Sequence, residues 1–389
     1  MNIHIEEERQ LDPSNGETGG GSNSIPEGGG SGDNDKSSTR HRVLLAITYT
    51  SLFVGSVSSS LLSRFYFIHG GSSRWVSTWV QSAGFPLLFL PIYLPRLFNS
   101  NVVDDFITYR RRPFSHFTAK LLLISLVMGL ISGISNFLYS WGISYLPVST
   151  SSILLSSQLA FNLILSVLIV KQRIVFSNLN AVVLLTLSSI LLAFGSSHDR
   201  PKGVTQIQYF LGFFAILSTG FLYALYLPLM EMVYKKRVHC YEMVIEMQII
   251  MGAVATAFAS VGMALDGGYR EMRMESESGY DLGTVAYGLT MGFNVVTWQV
   301  CFMGSAGLVY LTTSLTGAIC MTALLSMNVL GGVLAFGDDF GGPKVVSTLF
   351  CVWGFCSYVY GEYKKMAKEG EKRNDQGMEL VGVATTDVA

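Results

Sequence analysis

The chain has 389 residues, 50% of them hydrophobic and only 14% charged, with a formal net charge of −1. Soluble proteins carry about 25% charged residues, so a single water-soluble core is excluded, and the near-neutral charge leaves no basic footprint for a nucleic-acid partner. Apolar windows of about 20 residues recur instead, each long enough to cross a hydrocarbon layer about 30 Å thick.

Residues 1–42 are acidic and then rich in Gly, Ser and Asn. They hold neither the apolar stretch of a cleavable signal nor enough apolar surface for a core, and they read as a disordered cytosolic tail. Apolar windows come next at about 43–68, 75–97, 118–140, 148–170, 178–196, 207–232, 243–265, 282–303, 308–335 and 344–363. The expectation is an all-α polytopic membrane protein with ten transmembrane helices. Residues 43–196 and 207–366 would form two five-helix units, and 367–389 a polar C-terminal tail.

Lys and Arg sort between alternate loops. With the N-terminus in the cytosol, the inside segments hold 19 of them and the outside loops 6, or 15 against 6 without the N-terminal tail. The positive-inside rule therefore puts both termini in the cytosol. The plasma membrane is the expected site, with an internal membrane still open, and nothing in the sequence sets the oligomeric state.

The most informative stretch is the hairpin of the third and fourth windows. It carries Asn136, Trp141 and Tyr145 before Pro147, then Gln158 and Asn162 after it. Asn136 and Gln158 each lie 11 residues from Pro147, which at 1.5 Å per residue places both about 16 Å deep, near the bilayer centre. Asn162 is one helical turn beyond Gln158 on the same face. A weaker copy appears when Leu308 is set on Leu146: Gly304 falls on Gly142, Thr312 on Thr150 and Ser314 on Ser152, an offset of 162 residues. Asn136 then maps to Trp298, beside Gln299. An odd number of helices per unit turns the second unit over, so the repeats are expected to be inverted, as in many secondary transporters.

Amides facing lipid are costly and should face the interior. There they serve either as glue between helices or as a site. Side-chain amides offer a donor and an acceptor to the edge of a planar heterocycle, while an indole stacks on its face.

Only Arg64, Glu231 and Glu246 place charge well inside the windows. Proton coupling needs a titrating group on the substrate path, so Glu246 and then Glu231 are the candidates; Glu231 with Lys235 four residues on also fits an interfacial ion pair. Arg64, Trp79 and Gln81 are candidates for an outward vestibule, although Arg64 also fits a snorkelling side chain. Trp75, Tyr109 and Tyr360 fit an aromatic belt, and Arg110, Arg111 and Arg112 an orientation signal. Asp338 and Asp339 lack further oxygen ligands nearby and read as a solvated turn. The five cysteines show no metal-ligand spacing, and no catalytic constellation stands out.

These strings resemble the plant purine permeases of the drug/metabolite transporter superfamily. The likeness runs from about 42 to 366 and rests on Gly70–Pro86, on Asn136–Ser152 with Ser156–Asn162, and on Trp353–Tyr358. The Leu227–Glu231 string resembles one branch of that family, other members carrying an uncharged residue at the last position. The resemblance implies ten helices in two inverted repeats and proton-coupled uptake of adenine, cytokinins and related heterocycles, with the proton gradient as the driving force and no cofactor. Two rivals stay open at this point. An exchanger of nucleotide sugars or phosphate esters would need Lys or Arg at mid-depth. A non-transporting receptor or scaffold would have no use for amides focused at one depth.

Overall fold

The computed structural model describes residues 31–98, 114–115, 117–146, 148–171, 176–194, 205–337, 341–343, 345–361 and 363–364. Residues 1–30 of the tail expected over 1–42, the whole tail expected over 367–389, and the expectations for Tyr109, Arg110–Arg112, Asp338 and Asp339 lie outside those residues. Two units separate, Met1–His41 and Arg42–Ala389. The described part of the first is helical, and the packed helical bundle belongs to the second.

Among the described residues all regular structure is helical. In chain order it comprises α1 (Ser31–Ile68), α2 (Arg74–Ser82), α3 (Phe89–Phe98), α4 (Ala119–Ile143), α5 (Val148–Leu165), α6 (Phe176–Phe194), α7 (Gln206–Arg237), α8 (Tyr241–Asp266), α9 (Gly268–Met274), α10 (Gly283–Leu311) and α11 (Ser314–Phe336). A last helix, α12, covers Val345–Gly361. Six helices are long and apolar enough to cross a membrane: α1 from His41 on, α4, α7, α8, α10 and α11. Ser157–Val170, Phe176–Ser188 and Val345–Gly361 are shorter apolar helices.

The window at 75–97 is divided. α2 stops at Ser82, a 3-10 turn spans Phe85–Leu88, and α3 resumes at Phe89. Pro86 contributes to the break: it brings no N–H, and its ring crowds the carbonyl four residues back, so the α-helical ladder loses a bond there. Gly84 sits at the break because α10 comes so close. A Cβ there would lie 2.7 Å from the Gln299 Cβ and 2.8 Å from the Val295 carbonyl oxygen.

Other crossings also depend on small residues. A Cβ on Gly55 would meet the Cys301 nitrogen at 2.4 Å, and one on Gly304 the Leu52 nitrogen at 2.4 Å. α1 and α10 thus touch backbone to backbone, the usual way helices gain contact where lipid tails are as apolar as Leu. Buried Leu159, Leu227, Met230, Met247 and Leu315 fill the space among α5, α7, α8 and α11. Leu123, Leu168, Phe214, Val285, Phe293 and Leu334 point outward and exposed. An apolar exterior around buried amides and hydroxyls is the arrangement a bilayer demands.

Candidate functional site

The interior holds a cavity of about 820 Å³, its opening to solvent included. Helices from both ends of the chain bring side chains to it. α1 supplies Ser56, Ser59 and Ser60, α2 Gln81, and α4 Ser135, Asn136 and Tyr139. α5 and α7 add Gln158, Thr219 and Tyr223, while α10 and α11 bring Trp298, Cys301, Phe302, Thr322 and Asn328. A smaller lobe of about 420 Å³ shares Asn136, Tyr223 and Phe302 with the first and adds Ser132, Gln248 and Gln299.

Three amide atoms give the cavity its chemistry. Asn136 Nδ2, Gln158 Nε2 and Asn328 Oδ1 are buried without a hydrogen-bond partner in the protein, and all three residues line the larger lobe. A buried polar atom left unmade costs about 1–3 kcal/mol, so three around one cavity point to groups that meet a guest. They offer two donors and an acceptor. Gln81 is held by donating to the Ser140 hydroxyl (3.0 Å) and the Ser77 carbonyl (3.2 Å).

Trp298 supplies the aromatic surface. Its indole nitrogen donates to the Ser63 hydroxyl (3.3 Å), which donates on to Asn294 Oδ1 (3.3 Å). Its ring stacks with Phe302 at 5.5 Å between centroids. With its polar edge tied to α1, the indole is fixed as a wall.

Of the residues singled out by sequence, the structure brings Asn136, Gln158, Trp298 and Gln81 to the larger lobe and Gln299 to the smaller. Asn162 does not line either. It is fully buried, with Nδ2 donating to the Ala224 carbonyl (3.2 Å) and Oδ1 accepting from the Ser166 hydroxyl (3.1 Å). Trp141 leans on Phe137. Tyr145 accepts from Arg74 Nη2 at 3.0 Å, with the guanidinium 4.6 Å above its ring. Trp79 packs in the cluster of Tyr66, Val76 and Val80, and the Arg64 guanidinium sits 4.7 Å over the Phe336 ring. None of these four lines the cavity.

The acidic candidates lie apart from it as well. Both Glu231 and Glu246 are 1% exposed. Glu231 Oε1 pairs with Lys235, and its Oε2 accepts from the backbone N–H of Ser314 at 2.7 Å. Ser314 opens α11, so the carboxylate caps a helix N-terminus, where negative charge is favoured. Glu246 Oε1 accepts from the Phe114 N–H at 2.9 Å, tying the segment before α4 to α8. Among the described residues lining the two lobes there is no Asp, Glu, Lys, Arg or His.

Asn328, Tyr139, Tyr223, Phe302 and the serines of α1 were not singled out by sequence. Asn328 carried the same signal as Asn136, an amide inside an apolar window. The others carry none, since serines and aromatics recur on every face of membrane helices.

The family model described as purine nucleobase transmembrane transport matches residues 43–368. From Arabidopsis thaliana, probable purine permease 4 is 55% identical over 322 residues, covering 82% of this chain and 81% of its own. Purine permease 3 is 34% identical, covering 83% and 92%, and probable purine permease 11 is 38% identical, covering 82% of each. A solved crystal structure that is 12% identical superposes with a TM-score of 0.55, covering 82% of this chain and 98% of its own; at that identity the likeness concerns the fold alone.

Proposed function

Because the chain belongs to the purine permease family, we propose that it is a proton-coupled secondary transporter importing purine bases and related heterocycles, adenine and cytokinins among them. The observation that carries the reading is the set of three unpaired amide atoms beside the Trp298 ring around one cavity. A purine presents ring nitrogens that accept, N–H groups that donate and a flat π face. Asn136 and Gln158 would serve the acceptors, Asn328 a donor, and Trp298 the face. Gln299 and Gln248 in the smaller lobe would meet a substituent or line the way in or out.

The neutral lining argues against the phosphate-ester rival, since a dianionic phosphate buried without Arg or Lys would stay uncompensated. A scaffold would gain nothing from three unpaired amides.

In this reading the chain has ten spans in two inverted halves, 43–196 and 207–366, with both termini in the cytosol of a plasma-membrane protein. Substrate sits between the halves, and one rocks against the other to alternate access. The proton is taken by Glu246 at the inner end rather than by the cavity wall, Glu231 being the weaker candidate because Lys235 and the Ser314 N–H already hold it. Protonation of Glu246 would weaken the hold on the Phe114 N–H and loosen the inner closure.

Uptake of radiolabelled adenine and trans-zeatin into cells, with and without a protonophore, tests this. Concentrative uptake that collapses with the protonophore is expected. Uptake indifferent to it would remove the proton, and no uptake of any heterocycle would remove the function.

A further inference from the structure

Glu275, in the turn after α9, is a buried carboxylate that the transport reading does not use. It is 5% exposed and accepts five hydrogen bonds. Oε1 takes the backbone N–H groups of Ser72 and Ser73, both at 2.8 Å, and the Ser72 hydroxyl at 3.2 Å. Oε2 takes the hydroxyls of Tyr66 (2.7 Å) and Tyr287 (3.2 Å). One side chain thereby joins the end of α1, the turn that starts α2 and the first part of α10.

The surroundings reinforce the junction. His69 Nδ1 lies 2.9 Å from each carboxylate oxygen of Asp281, and the Asp281 N–H donates to the His69 carbonyl at 3.3 Å. Gly70, at φ 104°, leaves no room for a Cβ against the Gly279 carbonyl oxygen. Tyr66 on α1 and Tyr287 on α10 are titratable groups that touch the Glu275 carboxylate. On its own segment Arg273 is paired with Glu277 at 2.8 Å, while Arg74 is engaged by Tyr145. None of the ion pairs among the described residues involves Glu275, so neutral donors hold it.

Such a nest suits an ionised carboxylate, which only accepts. A neutral amide in its place would put a donor where donors already converge, and the remaining bonds would lose their charge assistance. The joined helices α1, α2 and α10 are also those that carry Ser59, Gln81 and Trp298 to the cavity. On the transport reading, which this inference rests on, α1 and α2 belong to one half and Glu275 and α10 to the other, and the junction lies on the outer side. Entry of substrate from outside requires these helix ends to part.

We propose that Glu275 is the outer-gate residue: its carboxylate clasps the outer ends of α1, α2 and α10 together, and the cavity opens outward when that clasp lets go. A neutral Gln of the same shape at this position weakens the clasp and shifts the protein toward the outward-open state.

The test uses intact cells expressing the full chain. A membrane-impermeant maleimide is added outside and the labelling rate of Cys301, which lines the cavity, is read with Cys301→Ser as the blank. The measured quantity is the rate in Glu275→Gln relative to wild type at one fixed pH. That ratio should be about tenfold, and a ratio of one overturns the proposal. If Glu275→Gln fails to reach the surface, the double variant Tyr66→Phe/Tyr287→Phe removes two donors while keeping the acid. Labelling should then rise, and unchanged labelling overturns the proposal equally. Adenine uptake is read in the same cells. Its absence in wild type would refute the transport reading, while the labelling ratios would still decide the gate.

Discussion

Asn162 donates to the carbonyl of Ala224, the residue four positions before Pro228 inside α7. Proline has no N–H, so Ala224 loses its helical donor, and a neighbouring helix supplies the replacement. Asn162 therefore holds α5 to α7 at a proline. Asn162→Leu should lower the stability of the purified protein by about 1 kcal/mol, read as a fall of a few degrees in melting temperature. The KM for adenine should stay near that of wild type. A raised KM with unchanged stability would place Asn162 in the substrate site after all.

Trp298 is tied at its indole nitrogen to Ser63, so its contribution to a guest is its face. Stacking a base on an aromatic side chain is worth about 1–3 kcal/mol. Trp298→Ala should weaken adenine binding by roughly 5- to 150-fold, and Trp298→Phe should restore part of it. Equal losses in the two variants, measured by calorimetry on purified protein, would mean that the indole N–H matters and the ring does not.

Glu231 and Glu246 should behave differently. Glu231 joins Lys235 and caps α11, and losing a cap of that kind costs about 1 kcal/mol. Glu231→Gln should therefore lower melting temperature while leaving the protonophore sensitivity of uptake intact. Glu246→Gln should abolish concentrative uptake yet retain exchange of labelled for unlabelled adenine. Uptake by that variant that is still driven by a pH gradient would move coupling elsewhere.

The sequence made some of this legible and hid the rest for identifiable reasons. Apolar windows and alternating loop charge define a helical membrane protein because hydrocarbon thickness fixes span length. Depth counted from Pro147 brought out Asn136 and Gln158, since an amide at mid-membrane is rare enough to be informative. Depth alone could not separate them from Asn162, whose partner is a carbonyl released by a proline 66 residues further along the chain. The break at Pro86 was visible as a residue, but its consequence depends on how closely α10 approaches Gly84. Glu275 gave no signal, because a glutamate in a polar loop between two windows looks solvated until Tyr66, Ser72, Ser73 and Tyr287 fold around it.

On the proposed function, the unpaired amides around the cavity recognise a purine. Adenine binding to the purified full chain, compared among wild type, Gln158→Leu and Asn328→Leu, tests it most directly. Each variant removes one hydrogen bond to the guest, so the dissociation constant should rise about tenfold in each, with melting temperature held or raised because an unpaired buried amide is also removed. Dissociation constants equal to that of wild type in both variants would show that these amides do not meet the purine.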